Sequence, residues 1–191
     1  MPFKHMVSFA AALLLVAVLA SGEAMAAPKK VYLVNGLFSK AFGYGLTNLS
    51  KKIPYARHFK FSGSVSQAAI NGIISDATKA YKRDPSTQIS LVGISQGANA
   101  VANIASQLAR NGVKVHYLAA IEGGNMAAVQ NNVKKADSFI CSNSGCTRKK
   151  LRRAGGNSST RMGAVELDTG HIDSGNHPRM HRRVISQINS G

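Results

Sequence analysis

Short apolar runs alternate along this chain with stretches in which apolar residues recur three and four positions apart. The short runs predict strands at residues 31–35, 58–61, 89–92, 113–121, 138–141 and 163–167. The periodic stretches, together with breaking Pro and Gly residues, predict helices at residues 46–53, 65–81, 98–108 and 126–135 and from Pro178 onwards. Strands alternating with helices favour an α/β fold, so we expect a three-layer α/β/α sandwich around a mostly parallel sheet.

The first 26 residues have a different pattern. Lys4 and His5 precede an apolar run at residues 7–19 that is short for a membrane span, and residues 24–26 are Ala-Met-Ala. This pattern is typical of a cleaved secretory signal peptide, with an uncleaved anchor as the alternative. We expect export to the periplasm or the cell exterior, a single domain at residues 27–191 with no cap domain, and no membrane span in the mature chain.

The sequence around Ser95 is the strongest chemical signal. Gly93-Ile94-Ser95-Gln96-Gly97 follows a buried strand and precedes an amphipathic helix. Glycines at both ends of Gly-x-Ser-x-Gly allow a very tight turn, which lifts the serine hydroxyl above the sheet and places a helix N-terminus beneath it. This context predicts a nucleophile elbow, whereas Gly-x-Ser-x-Gly without it is a common turn.

Partners for a serine nucleophile follow other predicted strands. His171 follows the strand at residues 163–167, and Glu122 follows the strand at residues 113–121. Because the carboxyl ends of parallel strands meet at one edge of a sheet, we expect Ser95, His171 and Glu122 to form a catalytic triad. Asp168 is the alternative acid.

Other polar residues fit this triad less well. Asp137 is expected before its strand, at the wrong end of the sheet, and Asp173 is expected to cap the last helix, with His177 as another candidate cap. The backbone N–H groups of Gln96 and Leu37, or of Phe38 in place of Leu37, are expected to form the oxyanion hole.

The two cysteines and the histidines raise two further possibilities. Cys141 and Cys146 are the only cysteines, and in an exported protein we expect them to form a disulfide, with free thiols as the alternative. A metal site is a competing interpretation of one group of side chains, namely His171, Asp173, His177 and His181. No further ligand or general base accompanies that group, so we expect no metal and no cofactor.

The net charge is +16, and residues 1–26 contribute one charge of each sign, Lys4 and Glu23. Much of the positive charge is concentrated in Arg148, Lys149, Lys150, Arg152, Arg153, Arg161, Arg179, Arg182 and Arg183. With few aromatic residues nearby, this pattern disfavours nucleic acid and favours an anionic envelope surface or an acidic substrate as partner. A purely solvated basic face is the alternative.

Three segments of the chain resemble the α/β-hydrolase superfamily. Residues 31–36 resemble the strand before its oxyanion motif, residues 91–100 resemble its elbow, and residues 171–173 resemble its histidine loop. The size and order of these segments are similar to cutinases and minimal bacterial lipases without a lid. Asn35 stands where the superfamily usually has His, and Glu-Gly-Gly stands where an Asp is more common.

Together these patterns predict a serine esterase, lipase or thioesterase that cleaves a small-molecule ester or thioester through an acyl-enzyme. Ser95 is the expected nucleophile and His171 the expected base. An exported basic binding protein that keeps a hydrolase scaffold without turnover is the competing hypothesis.

Overall fold

A computed structural model of the chain describes residues 26–42, 45–143 and 145–191. The predicted signal peptide lies outside these residues except for Ala26 and stays a prediction. Within the described part of the chain, no helix is both long and apolar enough to cross a membrane.

Six strands form one parallel sheet in the order β2-β1-β3-β4-β5-β6. The strands are β1 (Lys29–Val34), β2 (Arg57–Phe59), β3 (Gln88–Ile94), β4 (Val115–Ile121), β5 (Val133–Cys141) and β6 (Arg161–Leu167). The helices are α1 (Ser39–Phe42), α2 (Thr47–Lys52), α3 (Gln67–Arg83), α4 (Gln96–Arg110) and α5 (Pro178–Asn189). Because all neighbouring strands are parallel, their carboxyl ends share one edge of the sheet.

Helices cover both faces of the sheet, which confirms the predicted sandwich. Alternate strand residues point to opposite faces, so each strand contributes to two separate cores. Tyr32 and Leu91 belong to the core beneath α3 and α4, whereas Leu33 and Val92 belong to the core beneath α2 and α5. The central strand β4 is buried along its whole length, as expected for a parallel strand covered on both sides.

The helix predicted at residues 126–135 is wrong, because β5 begins at Val133 and residues 126–132 contain no helix. The Val129 N–H donates to the Arg152 carbonyl at 2.8 Å, and its carbonyl accepts from the Ala154 N–H at 2.9 Å. These bonds to a distant segment replace those that a local helix would supply, and nothing in the local pattern indicates them.

The strand predicted at residues 138–141 is only the second half of β5. The first half carries Lys135 and Asp137, both of which are buried. Lys135 Nζ donates to Ser190 Oγ at 2.6 Å, and Asp137 accepts from Arg183 at 2.8 Å. The predicted position of Asp137 ahead of its strand is therefore wrong: Asp137 lies in the middle of β5, where a paired cation makes burial of its charge tolerable.

Residues 148–160, here called the basic loop, contain no regular helix or strand. They are nevertheless tied to the sheet. The buried Leu151 donates its N–H to Ser138 Oγ at 2.9 Å, and the buried Asn157 donates its side-chain amide to the Val129 carbonyl at 2.7 Å. These two bonds hold the basic loop against β5 and the segment before it.

The C-terminal helix α5 begins at Pro178 as predicted, and His177 caps it by accepting the Arg179 N–H at 3.2 Å. The predicted cap at Asp173 is wrong, because Asp173 instead starts a short 3-10 turn, Asp173–Asn176. The apolar face of α5 packs on the sheet through Met180, Val184 and Ile188.

Candidate active site

The turn at Ser95 has the geometry of an elbow. Ser95 lies between β3 and α4 with φ 57° and ψ −122°, a backbone conformation that L-residues rarely adopt. A Cβ on Gly93 would collide with the Gly97 carbonyl, and a Cβ on Gly97 would lie 2.7 Å from the Asn35 carbonyl oxygen. Both glycines are therefore needed for the close approach of β3, α4 and the end of β1.

The loop after β1 packs directly against the serine. A Cβ on Gly36 would lie 2.9 Å from Ser95 Cβ and 3.3 Å from Ser95 Oγ. The buried Asn35 accepts the Leu46 N–H at 2.8 Å and so fixes the start of this loop. Leu37 follows next in the chain, one residue beyond the close approach of Gly36 to Ser95.

Gln96, the other predicted oxyanion residue, is the first residue of α4. Backbone N–H groups in the first turn of a helix have no partner within that helix. The Gln96 N–H is therefore suited to an anion held at Ser95, with the helix dipole adding to the attraction.

His171 and Glu122 are 49 positions apart in the chain, and the fold brings them together. His171 follows β6, Glu122 follows β4, and His171 Nδ1 lies 3.4 Å from Glu122 Oε2. The Glu122 side chain is fully buried, while the His171 side chain is 30% exposed. The histidine therefore contacts the carboxylate on one side and remains accessible from the cavity at Ser95.

Two backbone donors fix the Glu122 carboxylate. Its Oε1 accepts the Cys141 N–H and its Oε2 accepts the Thr147 N–H, both at 2.7 Å. The Thr147 hydroxyl also donates to the Gly123 carbonyl at 3.0 Å. No local pattern indicates Thr147 in this role, because a backbone donor can be almost any residue type and its position depends on the fold of the segment before the basic loop.

Backbone strain is concentrated here. In the described residues, positive φ at non-glycine positions occurs only at Phe38, Ser95, Glu122 and Arg148. The first three follow β1, β3 and β4 at the shared edge of the sheet, and Arg148 follows Thr147. Such strain typically accumulates at functional sites, where the surrounding structure holds it in place.

A cavity of about 270 Å³ joins these elements. Ser95, His171 and Leu37 all line it, and Ile94 forms part of its wall. Its rim is apolar: Leu37, Phe38 and Ile172 are 42%, 47% and 54% exposed. Exposed large apolar side chains grouped around a concave site are typical of a surface that receives an apolar ligand.

The alternative acid and the candidate metal ligands do not form the groups that those two alternatives require within the described residues. Asp168 is exposed, and within the described residues no hydrogen bond or ion pair joins it to His171. The side chains proposed for a metal are engaged elsewhere, since His177 caps α5 and His181 Nε2 lies 2.9 Å from the Gly175 carbonyl. The described residues do not bring His171, Asp173, His177 and His181 together as one ligand group.

The Cys141–Cys146 disulfide is present, with the two Cα atoms 5.6 Å apart. It joins the last residue of β5 to the residue before Thr147. One end of this bridge, Cys141, is therefore itself a backbone donor to Glu122, and the other end, Cys146, directly precedes the second donor. A group of Glu122 with the two cysteines offers no metal site in this state, because bonded sulfurs are not thiolates.

Similar arrangements of strands and helices occur in solved structures. Human thioesterase 2 is 10% identical, with 85% of this chain and 96% of that chain covered and a TM-score of 0.53. The SrfTE thioesterase domain, which cyclises the lipopeptide antibiotic surfactin, is 12% identical, with 86% and 93% covered and a TM-score of 0.54. A YdeN-like protein of Pectobacterium atrosepticum, provisionally described as a hydrolase, is 14% identical, with 84% and 91% covered and a TM-score of 0.51.

The fold is α/β-hydrolase-like. The sequence matches no protein-family model and no curated protein. At such low identities the likeness to solved structures establishes the fold alone. In an α/β-hydrolase-like sheet the loops after the strands form the ligand site, which is where Ser95, Glu122 and His171 lie.

Proposed function

We propose that this protein is a serine hydrolase that cleaves carboxylic esters or thioesters through an acyl-enzyme intermediate. The observation that carries the proposal is the joint position of three groups. Ser95, on its strained turn, and His171 line one cavity, and the buried carboxylate of Glu122 lies 3.4 Å from His171 Nδ1. Nucleophile, base and acid on three strand ends is the arrangement that acyl transfer by serine requires.

In the proposed reaction, Ser95 Oγ attacks the acyl carbon of the substrate while His171 accepts the serine proton. The bond from the acyl carbon to the leaving oxygen or sulfur breaks, and His171 returns the proton to that leaving group. Water, activated by His171, then releases the acid from Ser95. Glu122 orients the imidazole and stabilises its charged form, and the N–H groups of Gln96 and Leu37 bind the oxyanion.

The proposal also covers the compartment in which the enzyme acts and the type of its substrate site. We infer export through a signal peptide at residues 1–26, and the Cys141–Cys146 disulfide is compatible with an oxidising compartment. The apolar rim at Leu37, Phe38 and Ile172 supports a substrate with an apolar acyl group and a lidless, cutinase-like site. An anionic envelope surface remains a candidate partner of the basic residues.

The test is hydrolysis of a panel of p-nitrophenyl esters and acyl thioesters. We expect wild-type protein to turn over short members of the panel, and Ser95→Ala to lose at least about 10³-fold in kcat while keeping its far-ultraviolet circular dichroism and Tm. The loss follows because alanine keeps the turn but removes the attacking oxygen. A correctly folded wild type that cleaves nothing on the panel would favour the binding protein without turnover.

A further inference from the structure

A second cavity, of about 350 Å³, lies beside the proposed active site and is here called the cationic cavity. It is lined by Gly124, Asn125, Met126, Lys149, Lys150 and Arg152. Three of these side chains are cations and none is an acid. A concave surface with this lining is suited to an anionic group, and lysine and arginine together are common ligands of phosphate.

In the part of the chain that the structure describes, the three cations have no competing partner. Among the described residues, no hydrogen bond or ion pair engages the charged ends of Lys149, Lys150 or Arg152. The backbone that carries them is nevertheless held in place, because the Thr147 N–H bonds to Glu122 and the Leu151 N–H bonds to Ser138 Oγ. Fixed backbone and unpaired cationic ends favour binding of an external anion over pairing within the protein.

The opposite wall of the cationic cavity is also fixed. Asn99, in the first turn of α4, accepts the N–H groups of Gly124 and Asn125 at 3.0 and 2.9 Å. A Cβ on Gly123 would lie 3.0 Å from the Ala98 side chain. The cavity therefore lies against the helix that starts at Ser95, next to the loop that continues from Glu122.

The two cavities flank the serine on different sides. The apolar one is lined by the loops after β1 and β6 and by Ile94, which belongs to the core beneath α2 and α5. The cationic one is lined by the loop after β4 and by the basic loop, and its Met126 packs against the core beneath α3 and α4. Ser95, at the end of β3, lies between the loops after β1 and β4. A substrate bound across Ser95 would contact an apolar surface at one end and three cations at the other.

We infer that the substrate joins an apolar acyl group to a leaving group that carries phosphate, and that Lys149, Lys150 and Arg152 bind this phosphate. The inference rests on the proposed hydrolase function. When Ser95 takes the acyl group, the alcohol or thiol that departs carries the phosphate and the proton from His171. The phosphate can belong to a soluble acyl carrier or to a phospholipid headgroup, since both present the same chemistry to the cavity.

The inference is tested with two thioesters that differ in phosphate. Butyryl-4′-phosphopantetheine and butyryl-pantetheine share the acyl group, the bond that breaks and the rest of the leaving thiol, and only the first carries phosphate. We expect kcat/KM to be at least about tenfold higher for the phosphorylated thioester than for the other one. We expect the triple variant Lys149→Ala/Lys150→Ala/Arg152→Ala to lower the ratio of these two kcat/KM values about tenfold. Vesicles of phosphatidylglycerol, assayed for fatty-acid release, form the second arm and identify a headgroup as the source.

The matched control removes three exposed cations at the other end of the sheet, Lys79→Ala/Lys82→Ala/Arg110→Ala, and should leave the ratio unchanged. An equal fall in both triple variants, or no preference for phosphorylated substrate in either arm, overturns the inference. Failure of the proposed function is a different result: no turnover of butyryl-pantetheine or of p-nitrophenyl butyrate. Binding of pyrophosphate, measured by calorimetry, then tests the cationic cavity without turnover. Binding that is lost in Lys149→Ala/Lys150→Ala/Arg152→Ala and kept in the control variant supports the anion site. Absence of binding to wild type refutes it.

Discussion

At the scale of single residues, Glu122 is held more firmly than any other member of the proposed triad. Its side chain is fully buried, and it accepts two backbone N–H groups at 2.7 Å while facing His171 Nδ1. A buried carboxylate needs such partners, because an unpaired charge in the interior is very costly. The two donors leave its Oε2 edge directed towards His171, which suits it to orient the imidazole.

Exchanging Glu122 for its amide separates that role from a purely structural one. We expect Glu122→Gln to lower kcat on a p-nitrophenyl ester by about 10³–10⁴-fold, because the imidazole loses the acid that fixes its orientation and stabilises its charge. Asp168→Asn is the matched control and should change kcat little, since Asp168 is exposed and has no bond to His171 among the described residues. The reverse ranking of the two variants would move the acid to Asp168.

Prediction from sequence was most informative where a residue's role is set by its immediate neighbours. The elbow at Ser95 follows from two glycines, a strand before and a helix after, all within a few positions. Glu122 could be placed at the correct sheet edge but not distinguished from Asp168, because the distinction depends on the fold of Cys141 and Thr147 around one carboxylate. Such contacts between distant segments have no local signature.

At the scale of elements, the segment from the end of β5 to the basic loop supports the site. The disulfide closes this segment at Cys141 and Cys146, and the residue after the bridge, Thr147, donates to Glu122. The same segment continues into Lys149 and Lys150 of the cationic cavity. One covalent bridge therefore constrains the backbone that supports both the acid and the cations.

Removal of the bridge should affect both stability and turnover. We expect the mass of mature wild-type protein to be lower than that of the dithiol by two hydrogen atoms. We expect Cys141→Ser/Cys146→Ser to lose about 2 kcal/mol of unfolding free energy in urea titration. We also expect its kcat to fall, because the Thr147 donor is less firmly held. Reductant should reproduce both changes in wild type and have no effect on the double variant. Free thiols in freshly exported protein would contradict the predicted pairing.

The elements themselves were predictable to different degrees. In helices α3 and α4 the apolar residues recur regularly, and both helices lie where this periodicity predicts them. Residues 126–132, in contrast, form no helix. The first half of β5 was missed because Lys135 and Asp137 gave it a polar appearance. Both errors have one physical cause: Val129, Lys135 and Asp137 find their partners in segments far along the chain.

At the scale of the whole molecule, burial of histidines makes stability depend on pH. Burial, with Lys60 nearby, lowers the pKa of His58 from its ordinary 6.5 to about 4. Burial also lowers the pKa of His116 and of His181. Each of these three groups binds its proton more weakly in the folded protein than in the unfolded chain, so between pH 6.5 and about 4 the unfolded chain holds more protons.

The sign of the effect follows from this difference. Stability should fall as pH is lowered through 6.5 towards 4, and Tm measured across this window should drop by several degrees. His58→Gln should reduce the slope, because it removes a group that cannot charge without cost in the folded state. The slope should persist at high salt, since burial rather than repulsion among surface cations causes it. A Tm independent of pH in this window would contradict the lowered pKa of these three histidines.

The overall architecture follows from the alternation of strands and helices, and the parallel sheet with two cores is the outcome that this alternation favours. The net charge of +16 could be read from composition, but its division between structural ion pairs and unpaired cations could not. Arg183 pairs with the buried Asp137, whereas Lys149 and Lys150 line a cavity. The difference depends on which segments the fold brings together.

The central claim, that Ser95 is an activated nucleophile, is tested most directly by labelling with a fluorophosphonate probe followed by peptide mapping. Such probes react with a serine only when a base and an oxyanion site activate it. We predict stoichiometric labelling on the peptide that contains Ser95, none in Ser95→Ala, and much slower labelling in Glu122→Gln. Folded wild-type protein that stays unlabelled, or that is labelled on a different serine, would contradict the account.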